Sequence, residues 1–199
     1  MSTYLNISDK IKLETALSGD QDYNALLSYA QTQGYAIPSV SQRTLQETLI
    51  RDLKTAGVWD KLDVFYVFAT DGDSDYATLN WKDPNNHQVS KVNSPVFTAD
   101  SGFAGDGLSS YLDTNYNPSI SGVKYPLDNA SISIWSNNFV FNEFITSASG
   151  TFNCIRMAGS SQNQRINMGS NATLTPVVNF SDSSKKLRQL NRTSSTNVT

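Results

Sequence analysis

The sequence predicts an α+β protein, with short N-terminal helices followed by an antiparallel β-sandwich of jelly-roll type. Apolar residues recur at helical spacing over the first sixty positions. They then give way to short apolar stretches cut by Gly, Asn, Asp, Ser and Pro. Charged residues make up only 17% of the 199, below the ~25% usual for soluble domains. Ser, Thr, Asn and Gln take their place, and these suit exposed strands, turns and loops better than helices.

The first elements are helical. Residues 8–17 open on a capping serine and carry Ile11, Leu13 and Leu17, which predicts one short helix. Gly19 and Asp20 end it and offer a new cap. Tyr23, Leu26, Leu27 and Ala30 then keep helical spacing up to Gly34, a C-terminal stop. Pro38 breaks the chain and Ser39 caps a third helix, in which Leu45, Leu49, Ile50 and Leu53 repeat the spacing until Gly57. Residues 1–60 are thus a helical docking region. It is small for an independent fold, so it is expected to pack on the next segment of the chain or on a partner.

After Trp59 the pattern changes. Residues 62–69 are a continuous apolar run of strand length. Residues 61–118 form a connecting segment that leads into a β-sandwich over 119–199. Candidate strands lie at 96–98, 109–113, 130–135, 138–141, 152–157, 164–168 and 175–180. Within 131–135, Ile132 and Ile134 alternate with Ser131, Ser133 and Trp135, so one face meets a core and the other is half polar. The last residues, 194–199, read as the lead-in to another strand. A sandwich starting near residue 90 has only ~110 residues in which to close. The expectation is a small domain, one completed by a partner chain, or one incomplete at its C-terminus.

Composition excludes several functions. Net charge is -3 and basic residues are scattered, the one cluster being Lys185, Lys186 and Arg188. That cluster reads as a solvated patch, and phosphate-backbone binding needs a broad basic face, so nucleic acid is not an expected partner. No apolar stretch approaches ~20 residues, so membrane insertion is not expected. The first residues lack the pattern of a secretory signal, which implies synthesis in a cytoplasm. Cys154 is the only cysteine, which rules out an intrachain disulfide and a cysteine zinc site; it reads as a small core residue on a strand.

The stretch "DGDSDY" at 71–76 raises a calcium question. An EF-hand loop counted from Asp71 needs Gly at its sixth position and Glu at its twelfth, where this chain has Tyr76 and Lys82. Asp71, Asp73 and Asp75 remain weak calcium candidates. The better reading is a turn in which Asp73 or Ser74 caps a short helix near 75–79. Glutamate is scarce: Glu14 and Glu47 fall in helices, and Glu143 alone lies in the β region. Glycosidase chemistry needs paired carboxylates across a cleft, for which Glu143 with Asp106 or Asp113 is the pair to inspect. His87 sits in a polar loop with no G-x-S-x-G around any serine. The glycines at 102, 105 and 107 read as turn residues, because the Lys-Ser/Thr of a phosphate loop is missing.

Surface carbohydrate binding needs an aromatic face among neutral or acidic hydrogen-bonding groups. Trp135, Trp81, Tyr111 and Tyr116 lie among Asn, Asp and Ser and are the glycan-binding candidates. The competing reading for each is a core aromatic. Trp135 stands out because its alternation face carries serines.

Residues 45–118 resemble a recurrent segment of tailed-bacteriophage virion proteins, in particular tail-fibre and other minor structural proteins. The resemblance rests on LKTAGVWDKLDVFYVFA at 53–69, LNWKDP at 79–84, VNSPVF at 92–97, GFAGDG at 102–107 and SYLDTNYNP at 110–118. NASISIWS at 129–136 is similar to the early strands of a concanavalin A-like (laminin-G-type) jelly roll. The resemblance spans roughly residues 40–140 in order as well as in residue type. It implies a non-enzymatic virion component, a homo-oligomer among other virion proteins, with a module that contacts host-surface glycan or receptor. A head or tail decoration or assembly adaptor is the alternative, and a polysaccharide-degrading enzyme a remote one. The family motif carries no catalytic residues across. The chain also shows no long fibrous or heptad segment and ends before such a jelly roll is complete.

Overall fold

The computed structural model describes residues 19–126, 129–137, 144–146, 154–156, 165–166 and 186–192. The fold is a mixture of α-helices and small antiparallel sheets. The chain divides into two compact units, Met1–Tyr116 and Asn117–Thr199. The helix expected over 8–17 and the strands expected at 138–141 and 175–180 lie outside the described residues.

In the first unit, α1 (Gln21–Gln33) starts at Asp20, whose carboxylate accepts the N–H groups of Asp22 and Tyr23. It ends at Gly34, whose φ of 78° is the left-handed conformation that glycine adopts without strain. Helix α2 (Val40–Thr55) starts at Ser39, whose hydroxyl accepts from the Gln42 N–H. Both caps and both stops fall where the sequence places them.

The buried face of α2 does not. The spacing of Leu45, Leu49, Ile50 and Leu53 predicts a leucine stripe facing the core. Instead Gln46 and Ile50 are buried, while Leu45 is 64% exposed and Leu49 also faces outward. Gln46, 4% exposed, is tolerated because its amide oxygen and nitrogen are both used. Its Oε1 accepts the hydroxyls of Tyr23 and Tyr76, each at 2.9 Å, and its Nε2 donates to Thr70 Oγ1 at 3.3 Å. A leucine at position 46 would remove the acceptor that the two buried tyrosine hydroxyls share.

The core joins Tyr23, Leu26, Ala30, Ile50, Trp59, Tyr76, Leu79 and Trp81, with Leu53, Leu62, Phe65 and Val67 packed against it. The helices and the segment after them therefore share one core. Residues 62–69 are not a strand, contrary to expectation. Their backbone is held by a side chain and a single crossing bond. The Phe65 N–H donates to Asn80 Oδ1, and the Phe65 carbonyl accepts from the Trp81 N–H at 2.8 Å. The apolar run packs as irregular chain, with the Phe65 ring edge-on to both Trp59 and Trp81.

Two short antiparallel pairs complete this unit. Strand β1 (Ser90–Val92) pairs with β4 (Tyr111–Asp113), and β2 (Val96–Thr98) with β3 (Gly102–Ala104). The glycine stretch read as turns thus contributes a strand at its start.

In the second unit, a single-turn helix α3 (Pro118–Ser121) precedes β5 (Ala130–Ser136). Strand β5 pairs along its whole length with β9 (Lys186–Arg192), antiparallel. A separate antiparallel sheet joins β6 (Phe144–Thr146), β7 (Cys154–Arg156) and β8 (Arg165–Ile166) in that order. Lys186 and Arg188 of the basic stretch fall at the start of β9, and Lys185 lies outside the described residues. No helix among the described residues is long and apolar enough to cross a membrane.

Candidate functional site

The site builds up from β5. Its alternation is as expected: Ser131, Ser133 and Trp135 are exposed, while Ile132 and Ile134 are less so. The antiparallel register places Asn191 opposite Ser131, Gln189 opposite Ser133 and Leu187 opposite Trp135. Lys186, Arg188 and Arg192 pair with Ser136, Ile134 and Ala130, the alternate positions. One face of the ribbon therefore carries a tryptophan and a leucine at one end and hydroxyls and amides along the rest.

The polar groups on this face are ordered among themselves. The Ser131 hydroxyl and Gln189 Nε2 both donate to Asn191 Oδ1, the latter at 2.8 Å. The Trp135 indole N–H donates to Asn137 Oδ1 at 3.2 Å, while 62% of the residue stays exposed. Leu187 is exposed beside it.

The other aromatic candidates sit in the first unit and do not form a common surface. Trp81 is 1% exposed and lies in the core, so it presents no face to a ligand. Burial wins there because Tyr23 and Phe65 enclose the ring. Tyr116 is partly buried, its hydroxyl donating to Asp63 Oδ2 at 2.8 Å and its ring edge-on to His87. Tyr111 is 54% exposed on β4.

The calcium candidates are committed elsewhere. Asp73 Oδ1 accepts the N–H groups of Asp75 and Tyr76, and its Oδ2 accepts from Ala36 N–H. Asp71 Oδ1 accepts from the Ser39 N–H, and Asp75 pairs with Lys91 at 2.6 Å. Among the described residues no three His, Cys, Asp or Glu side chains converge as a metal site. Residues 71–76 form a turn, in which Asp73 accepts the N–H groups of Asp75 and Tyr76 just before a 3-10 turn at Tyr76–Thr78 whose own cap position is Asp75.

Asp106, Asp113 and His87, among the remaining chemistry candidates, bond to backbone groups. Asp106 accepts the backbone N–H groups of Ser110, Leu108 and Ser109, each at 2.9 Å. Those bonds hold its carboxyl well below the usual carboxylate range, the opposite of what a general acid needs. Asp113 accepts from the Asn115 N–H. Glu143 lies outside the described residues. His87 Nδ1 is 2.8 Å from the Asn115 carbonyl oxygen, which makes Nδ1 the protonated nitrogen.

Sequence reasoning found Trp135 but missed Leu187, Gln189 and Asn191. Only their alternation within 186–192 marks them, and the basic residues interleaved with them masked it. Comparison with protein-family models, with curated proteins and with solved structures returns no match.

Proposed function

We propose that this chain is a non-enzymatic structural protein of a tailed-phage virion, a tail-fibre or other receptor-contacting component whose β region meets glycan on the host surface. The observation that carries the reading is the exposed β5–β9 face, where an indole lies among uncharged hydrogen-bonding groups. Such a face suits weak contacts repeated over many copies, where avidity multiplies modest affinity. The resemblance of residues 40–140 to virion proteins supports the location. In this reading the paired strands of the second unit belong to a concanavalin A-like jelly roll, and the helices dock the chain to the particle or to sister chains as a homo-oligomer. The test is a glycan array probed with the oligomer. Binding to host-surface polysaccharide is expected, and a blank array across them would overturn the receptor role.

A second reading, a head or tail decoration or an assembly adaptor, is favoured by the outer face of α2. Val40, Leu45 and Leu49 are exposed there. Thr44 and Thr48 turn their hydroxyls back onto the carbonyls of Val40 and Thr44, so their methyl groups add to an apolar surface.

A further inference from the structure

We infer that the β5–β9 face binds an uncharged polysaccharide, with Trp135 as the stacking platform and Gln189 and Asn191 as the groups that read ring hydroxyls. The inference rests on the glycan-contacting function proposed above and narrows it to a ligand class and a set of residues. Three observations carry it.

The first is charge. Ser131, Ser133, Trp135, Leu187, Gln189 and Asn191 line the face, and none is ionisable at neutral pH. Carboxylated, sulfated or phosphorylated sugars are held by charge-assisted bonds, commonly from arginine. A neutral sugar needs no such partner and would leave no buried charge unpaired.

The second is the state of the hydrogen-bonding groups. Asn191 Oδ1 is filled by two donors, Ser131 and Gln189. This assigns the amide orientation and makes the Asn191 NH2 a donor on the half-exposed side chain. The Gln189 amide gives its NH2 to Asn191 and keeps its carbonyl oxygen as an acceptor. A donor and an acceptor thus stand side by side, with the Ser133 hydroxyl opposite Gln189 able to serve as either. Sugar hydroxyls are both donors and acceptors and match this mixture.

The third is shape. The indole N–H donates to Asn137 Oδ1, which favours one orientation of the exposed ring. From Trp135 to Ser131 the strand advances four residues, ~13 Å at strand rise. That is room for more than one sugar ring along the ribbon, with the apolar end on Trp135 and Leu187.

The experiment uses the full chain on an array holding neutral and acidic polysaccharides, at low and high salt, with Trp135→Ala, Trp135→Phe and Gln189→Ala beside it. Circular dichroism and light scattering check the fold and mass of each variant. Expected is binding to neutral polymers that changes less than about twofold with salt. Trp135→Ala should lose about tenfold or more, Gln189→Ala several-fold, and Trp135→Phe should keep most of the binding. Binding restricted to acidic polymers and abolished by salt would overturn the neutral-ligand inference and leave the glycan function standing. Neutral binding untouched in a folded Trp135→Ala variant would overturn the site. A drop in oligomeric mass on Trp135→Ala would make the face an interface between copies, which also overturns it. A blank array would remove the glycan function itself.

Discussion

Asp73 and Ala36 hold each other in both directions. The Ala36 N–H donates to Asp73 Oδ2 at 2.6 Å, and the Asp73 N–H donates to the Ala36 carbonyl at 3.0 Å. Two residues earlier, Asp71 accepts from the N–H of Ser39, the residue that caps α2. The acidic turn is therefore a staple: it ties the connection between α1 and α2 to the segment after the helices. Its carboxylates suit this because each oxygen can accept more than one backbone N–H.

Asp73→Ala removes the acceptor of three N–H groups at once, those of Ala36 and Asp75, which are open to water, and that of Tyr76, which is partly buried. The expected loss is about 1–2 kcal/mol in denaturant unfolding, most of it from the cap on Tyr76. Asp75→Ala removes an ion pair whose carboxylate is half exposed and should change stability by under about 1 kcal/mol. Calcium or a chelator should leave the melting midpoint of the wild-type chain unchanged, since Asp73 already spends both oxygens on the backbone. A midpoint raised by calcium and lost in Asp73→Ala would restore the metal reading.

Gly72 stands at the closest point of the staple. A Cβ there would sit 2.9 Å from the Ala36 carbonyl oxygen and 3.2 Å from the Tyr76 ring. Neither neighbour can retreat cheaply, because one is backbone and the other is a fully buried ring. Gly72→Ala should cost about 1–3 kcal/mol, as overpacking does. Unchanged thermal unfolding of this variant would mean that the two segments separate more easily than the geometry indicates.

The helix caps and stops were legible because Asp20, Gly34 and Ser39 act within a few residues of themselves. The β5 alternation was legible for the same reason. Strands were expected where β2, β4, β5, β7 and β8 form, whereas β1, β3 and β6 were not foreseen. Three further features were not legible. Residues 62–69 have strand composition, but Asn80 supplies the hydrogen bond that a ladder would have given Phe65. Trp81 and Tyr111 look alike in polar surroundings, and only the long-range closure of Tyr23 and Phe65 around one of them separates core from surface. The partner strand β9 is hidden by its basic residues, so half of the candidate face emerges only once the pairing with β5 is known.

The inverted face of α2 gives the next prediction. Gln46→Leu looks like an improvement to a helix with a leucine stripe, yet it removes the partner of two tyrosine hydroxyls and of Thr70. Each buried group left unsatisfied costs about 1–3 kcal/mol, so the variant should be markedly less stable by urea titration. Leu49→Gln, on the outward side, should change stability by under about 0.5 kcal/mol. If the two variants exchanged rank, the assignment of the helix faces would be reversed.

Buried tyrosines, Tyr23 and Tyr76 of this network and Tyr66 outside it, set the response to alkali. Burial pushes the Tyr23 hydroxyl up to about 12 and drives Tyr66 and Tyr76 further in the same direction. These are acids whose folded-state pKa lies above the unfolded value of 10.0, so the folded chain holds their protons more tightly. Their contribution to stability is complete below about pH 10 and is lost as pH rises through the folded values. Acid works the other way on Asp20. Burial alone would raise its pKa, but Lys54 and the N–H groups of Tyr23 and Asp22 outweigh burial and lower it. Its contribution is present above the ordinary carboxylate range and fades as pH falls through the depressed value. Tyrosinate absorbance and circular dichroism, followed together, should show these tyrosines ionising only as the fold is lost above about pH 10. Tyr23→Phe should reduce the steepness of that alkaline transition. Tyrosines that all ionise near pH 10 with the fold intact would mean that the Tyr23–Gln46–Tyr76 cluster is open to water.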